Sequence, residues 1–352
     1  MNRQTIAIFG GSGFIGTHLA EYALGSGLAK KIFLLDLAAP KPALYTPLLN
    51  RGLQTGLVRY IRWDVRKPIP PTLLPEPTEI VFNLAAVHRE PGHRPDEYFE
   101  TNLLGAENIC AFASATGCSR IVFTSSISPY GPSEDVKSED SPPSPTTPYG
   151  SSKLAAEKIH LDWNTSGAER KLLILRPGVV FGPGEKGNVT RLIRSLAKGY
   201  FVYVGNRNTR KAGGYVKELC SVIKFGLEHQ DRAGQSQILL NFSANPVPTL
   251  REFVGAICKT LGRRPSSIEI PRSVLQSCTR LTSFMARTLG IKHPFDPVRV
   301  RKLWNSTYVD PKGLRELGYV WKFSLEEAFL DWKRDCPQDF LGKRFFKRNQ
   351  PQ

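Results

Sequence analysis

Cysteine is scarce and scattered: the six stand at 110, 118, 220, 258, 278 and 336, with no closely spaced pair among them. That spacing excludes a disulfide framework and a CxxC-type zinc site, and is the pattern of reduced thiols in a cytoplasm. No apolar run approaches the length of a membrane-crossing helix. Met1 leads almost at once into Thr5-Ile6-Ala7-Ile8-Phe9, a buried-strand pattern, so a cleaved signal peptide is not expected. Internal repeats and low-complexity tracts are also missing, which argues against a repeat architecture. Acidic residues are in deficit, 31 against 48 basic, for a net charge of +17. Such an imbalance favours an anionic partner without choosing among a diphosphate, a nucleic acid or a membrane face.

What remains is an ordinary globular composition, 41% hydrophobic and 22% charged over 352 residues. That length is enough for two unequal domains. The first half alternates strand and helix patterns. The strand over 5–9 runs into Gly10-Gly11-Ser12-Gly13-Phe14-Ile15-Gly16, and 17–24 then has helical spacing. Strand, glycine turn and helix together predict a dinucleotide site. Gly10 permits a tight turn, Gly13 lets the backbone approach a pyrophosphate, and Gly16 lets the helix pack on the sheet. Gly10, Gly13, Phe14, Ile15 and Gly16 are therefore assigned to the cofactor, which meets free N–H groups at the helix N-terminus. The next strand, 32–36, ends in Asp36, about 20 residues on, where the ribose hydroxyls of NAD belong. A carboxylate there repels a 2′-phosphate, so NAD is expected over NADP.

Further strands are expected over 58–65, 80–86 and 120–126, with a helix over 98–113 carrying Asn102 and Gly105. Their carboxyl ends deliver Asp64 and Val65 towards the adenine, and Leu84, Ala85 and Ala86 as a small-residue surface. They also deliver Thr124 and Ser126. A helix starting near Tyr149 places Tyr149 and Lys153 one turn apart on one face. An unperturbed Tyr titrates near ~10 and is a poor base at neutral pH. A neighbouring ammonium, together with the positive ring of an oxidised nicotinamide, favours the phenolate. The same four-residue spacing also occurs on any surface helix, so the pair gains meaning only from the rest of the chain.

The chain resembles the extended short-chain dehydrogenase/reductases of the NAD-dependent epimerase/dehydratase family, which includes the UDP-hexose 4-epimerases. The resemblance rests on 10–16, Asp36, Asp64-Val65, 83–86, 123–126, Tyr130-Gly131, 149–153 and 176–183, in family order over about the first half. It implies an α/β fold: a Rossmann-type doubly wound parallel sheet with a smaller C-terminal substrate-binding domain. On that reading 1–180 forms the NAD-binding domain, with 205–243 returning to it. Residues 181–204 and 244–335 form the substrate domain, and 336–352 a basic tail. The family pattern makes Ser126 the substrate-side hydroxyl, Tyr149 the acid/base and Lys153 the holder of the nicotinamide ribose. It brings Pro177 to the cofactor, and makes Asn102 structural or functional in equal measure.

The second half is less legible. In the family, the segments after Pro183 wrap a nucleotide, which makes Asn188 and Tyr203 candidate base contacts; a helix terminus and a strand aromatic are the plainer readings. Where the family has an Arg-Asp pair, this chain has Arg210-Lys211-Ala212-Gly213. Arg210 and Lys211 keep a cation for the substrate diphosphate, but the pocket beside them is altered. Arg299 and Arg301 are alternatives for the diphosphate. His88 lies in the loop that faces substrate. A helix over 273–289 and the basic patch 343–348 read as a packing face and a solvated end. The expected partner is a nucleotide-sugar substrate, in a homodimer with no nucleic acid. The activity expected is epimerisation through a transient keto-sugar, or one-way NAD(P)H-dependent reduction of a 4-keto-sugar nucleotide. A catalytically silent dinucleotide sensor or RNA-binding member of the fold is the reading from another class; the trio Ser126, Tyr149 and Lys153 counts against it. Ile127 and Ser128 stand where the family's dehydratases carry an acidic pair, which argues against elimination.

Overall fold

The computed structural model describes residues 3–90, 92–271 and 306–341. Seven parallel strands form the central sheet in the order β10-β6-β5-β4-β1-β2-β3. These are β1 (Gln4–Phe9), β2 (Ala29–Asp36), β3 (Val58–Arg62), β4 (Ile80–Asn83), β5 (Arg120–Thr124), β6 (Lys171–Pro177) and β10 (Gln237–Phe242). Such strands are buried on both faces, which explains their continuous apolar runs rather than alternation. β4 and β5 end at Asn83 and Thr124, two to three residues earlier than the apolar pattern suggests, because the chain leaves the sheet there to line a cleft.

Helices cover both faces. On one, α1 (Phe14–Gly25) and α6 (Val216–Ala233) pack Leu19, Ala23, Leu219 and Ile223 against Ile6, Ile8 and Leu34. On the other, α3 (Pro95–Ala115) and α4 (Pro148–Thr165) pack Ile109, Phe112, Ala156 and Trp163 against Ala7, Phe9 and Phe123. The helix α2 (Pro47–Thr55) lies beside β3. The strand order reverses between β4 and β1. In an open parallel sheet this switch point leaves a crevice at the carboxyl ends of the strands, where ligands bind.

A second cluster of core residues lies beyond Pro177. It draws on β7 (Val179–Phe181), α5 (Asn188–Lys198), β8 (Tyr203–Val204), β9 (Gly213–Tyr215), α7 (Leu250–Leu261) and α9 (Leu325–Asp335). Its centre is aromatic: Phe181 stacks on Phe329 at 5.0 Å between ring centroids, and Phe253 meets both edge-on. β7 pairs with β9, and β8 with β11 (Glu269–Ile270). α8 (Lys312–Glu316) packs back onto β10. Arg299, Arg301, the expected helix over 273–289 and the basic patch 343–348 lie outside the described residues. Among the described residues no helix is long and apolar enough to cross a membrane.

Candidate active site

The floor of the crevice is the glycine loop. Gly10 has φ +76°, and a Cβ there would stand 2.7 Å from the backbone of Leu84 and Ala85, so only glycine fits. A Cβ on Gly16 would meet Gly10 O at 2.6 Å, which is how closely α1 packs on the turn. Gly13 differs: a Cβ there would meet only Gly10 O, at 3.2 Å, so the rest of its surface is open to a ligand. Gly13 is also the residue that precedes α1, whose first N–H groups, beginning at Phe14 and Ile15, face the same opening.

Asp36 closes the loop from the neighbouring strand. Its Oδ2 accepts the Ser12 N–H at 3.0 Å and its Oδ1 the Leu37 N–H at 2.7 Å. The half-buried carboxylate is thereby aimed across the loop mouth. Asp64 is held by Arg66, which donates through Nη2 at 2.7 Å and Nε at 3.0 Å. Those bonds keep its carboxyl below the usual range. Val65 is buried against Gly105 on α3. Leu84, Ala85 and Ala86 line the next wall, half-buried, while His88 stands exposed at its rim.

Three buried polar atoms at the carboxyl ends of the strands have no partner within the protein: Ser12 Oγ, Asn83 Oδ1 and Thr124 Oγ1. Buried polar atoms are seldom left unpaired, and such atoms beside an open glycine surface fit a polar ligand such as a dinucleotide.

The chemistry-bearing side chains converge above this floor. Ser126 follows β5, and its Oγ accepts the Ser128 N–H at 3.1 Å and donates to Ser128 Oγ at 3.2 Å. α4 is capped by Thr147, whose hydroxyl accepts the Gly150 N–H at 3.1 Å. Capping there starts the helix in time to place Tyr149 and Lys153 one turn apart on it. Lys153 is 2% exposed, with Nζ 4.2 Å from the Phe123 ring centre. Burial pushes its pKa down to about 7, against the pull of Glu157. Burial pushes Tyr149 up to about 12, while hydrogen bonding with Ser126 works the other way. In the protein alone, then, burial holds both groups towards their neutral forms. A positive charge beside the phenol would shift it towards the phenolate.

α3 supplies a brace that the sequence only half revealed. Asn102 Oδ1 accepts the Val87 N–H at 3.0 Å while its Nδ2 donates to Ser152 Oγ at 2.9 Å. It therefore ties the loop after β4 to α4. Tyr98 donates to Arg89 O and packs on the Tyr149 ring at 6.1 Å. Neither Tyr98 nor Glu157 was singled out in the sequence; the four-residue spacing from Lys153 to Glu157 was the available signal.

This fold and loop settle the family. A model of the family described as "NAD dependent epimerase/dehydratase family" matches residues 6–240. The chain belongs to that family. It is an NAD-dependent enzyme of the extended short-chain dehydrogenase/reductase type, and NAD is its cofactor. It is 28% identical to N-acetyl-α-D-glucosaminyl-diphospho-ditrans,octacis-undecaprenol 4-epimerase of Escherichia coli O157:H7, over 92% of this chain and 93% of that one. It is 24% identical to UDP-glucose 4-epimerase GEPI42 of Cyamopsis tetragonoloba, with 97% of each covered. Among solved structures it resembles MoeE5 in complex with UDP-glucose and NAD, with TM-score 0.68, 26% identity, and coverage of 94% of this chain and 98% of that chain.

The second-half residues are placed less favourably. Asn188 is exposed at the start of α5, its Oδ1 accepting from Arg191 at 3.2 Å, and the cap position is Gly187. Tyr203 is 1% exposed and packs edge-on against Phe201 in the aromatic cluster, so its ring belongs to the core. Arg210 donates to Val247 O and lies over the Tyr308 ring at 5.6 Å. Lys211 sits in a one-residue bridge with Thr307. Pro177, at the end of β6, accepts the Ile127 N–H at 3.1 Å and so fixes the turn that carries Ser126.

Proposed function

We propose that this enzyme is a 4-epimerase of a diphosphate-linked hexose, with UDP-hexoses as the first substrate class. The observation that carries this reading is the convergence of Ser126, Tyr149 and Lys153 above an Asp36-closed glycine loop, in a chain of this family. NAD, when bound, would supply a reversible hydride acceptor and a positive ring that favours the Tyr149 phenolate. Tyr149 Oη takes the proton of the sugar 4-hydroxyl as the carbon is oxidised to a ketone. It gives the proton back once the keto-sugar has presented its opposite face. Ser126 Oγ holds the reacting oxygen in line with Tyr149. Lys153 favours the phenolate and binds the nicotinamide ribose. Asp36 accepts from the adenosine ribose hydroxyls.

The relative from E. coli acts, by its name, on a sugar joined to a polyprenyl diphosphate. Its identity over nearly the whole chain supports a second reading, in which the diphosphate carries a lipid rather than a nucleoside. The net charge of +17 suits either anion. Incubation with UDP-glucose, UDP-N-acetylglucosamine and N-acetylglucosaminyl-diphospho-polyprenol, followed by NMR, tests both. Conversion of a UDP-sugar to its 4-epimer is expected. Conversion of the lipid-linked sugar alone selects the second reading. Net oxidation of NADH by a keto-sugar makes the enzyme a reductase and overturns both.

A further inference from the structure

A buried ion pair stands directly behind the site and has no part in the chemistry derived above. Glu157 on α4 and Arg176 on β6 are 2% and 4% exposed. Arg176 donates through Nε to Glu157 Oε1 at 2.9 Å and through Nη2 to Oε2 at 2.6 Å. Ser125 Oγ donates to the same Oε1. The other side of the guanidinium lies 4.7 Å from the centre of the Tyr130 ring. Tyr130 in turn donates to Asn241 Oδ1 at 2.8 Å, and Asn241 Nδ2 donates to Asp310 O at 3.2 Å.

We propose that Glu157 and Arg176 act as a positioning unit that holds the Ser126 turn in register with Tyr149 and Lys153. Ser125, immediately before Ser126, is fastened to Glu157. Tyr130, which ends the same turn, is fastened to Arg176. Lys153 lies one helical turn before Glu157 on α4, so the ion pair fixes both sides of the catalytic gap. Stability alone does not account for it, since a buried ion pair is generally no better than an apolar pair of the same volume. Its distinctive property is directional: two parallel hydrogen bonds between planar groups define orientation as well as distance.

The proposal rests on the reading of Ser126, Tyr149 and Lys153 as catalytic, and its test separates the two. Tyr149 faces the Ser126 hydroxyl, Tyr98 on α3 and Glu90 in the loop after β4, and Lys153 follows it by one turn on α4. Lys153 in turn faces Glu157 and His160 on α4 and His88 in the loop. The double variant Glu157→Gln/Arg176→Met removes one charge of each sign; because Glu157 also raises the pKa of Lys153, the part of its Tyr149 shift that reports position is the part that the charge-neutral Ser125→Ala shares. Ser125→Ala removes one hydrogen bond and no charge, and serves if the double variant does not fold.

In the NAD-saturated full chain, the phenolate absorbance of each variant is titrated against the same variant carrying Tyr149→Phe. Tyr149 in the double variant is expected to titrate about one unit or more higher than in wild type. Its kcat on the UDP-hexose should fall about tenfold or more, with KM within about threefold. Ser125→Ala should move both in the same direction by less. Unchanged Tyr149 titration in the variants overturns the proposal, as does a raised KM with kcat intact. If the wild type epimerises nothing but the Tyr149 shift appears, the proposal stands and the assigned reaction falls.

Discussion

Two side chains carry most of the chemical expectation. Asp36 spends one lone pair of each oxygen on backbone N–H groups, so its charge is fixed in place at the loop mouth. A 2′-phosphate would meet that charge at close range. NAD is therefore expected to bind at least about tenfold more tightly than NADP in a fluorescence titration, and equal affinities would remove Asp36 from its role. Tyr149 is the second. Tyr149→Phe keeps the ring that packs on Tyr98 and deletes only the hydroxyl, so NAD binding should survive. Turnover should fall about a hundred- to ten-thousandfold, the usual cost of losing a positioned acid/base group. Steady-state kinetics near wild-type rates would reduce Tyr149 to a packing residue.

At the scale of elements, the β1 turn and the cap of α4 do the positioning. The turn has no spare volume at Gly10, where a methyl group would run into the Leu84–Ala85 backbone and the φ of +76° disfavours any side chain. Gly10→Ala should push the turn away from β4 and weaken NAD about tenfold or more, with the core around Phe181 unaffected. Isothermal titration measures the first and urea unfolding the second; unaltered NAD affinity would mean that the turn is pliant. Capping of α4 by Thr147 contributes about 1 kcal/mol, as such hydroxyl caps commonly do. Its greater consequence is register, because it decides on which turn Tyr149 and Lys153 fall.

Over the whole molecule, buried histidines join parts that are distant in sequence. His18 on α1 bonds the carbonyl of Pro183 at 2.8 Å and stacks on Tyr45. His160 on α4 bonds Asn83 at 3.2 Å and stacks on Phe123. Burial pushes both down to about 4 from 6.5. Between these values the unfolded chain takes up protons that the folded chain refuses, so stability held above pH 6.5 drains away as pH falls towards 4. Urea unfolding at pH 7 and pH 5 should show this loss in the wild type. His18→Gln should lose less between the two, and an identical loss would mean that His18 titrates normally in the fold.

The sequence by itself determined the parallel sheet, the glycine loop with Asp36 at the end of the next strand, and the step that sets Tyr149 and Lys153 one turn apart on α4. Each of these depends on local rules: apolar runs for buried strands, glycine where φ is positive, and a four-residue step along one helix. Tertiary structure decided what depends on meeting across the chain. Tyr203 reads as a candidate base contact in sequence, yet it is buried in a core cluster assembled from separate elements. Arg210 reads as a phosphate ligand, and a carbonyl and a Tyr ring from remote segments fix where its guanidinium lies. Glu157 and Arg176 lie 19 residues apart, and nothing in the sequence pairs them. Only the packing of α4 on β6 buries them together, because a charge shielded from water must take the partner that the fold brings to it.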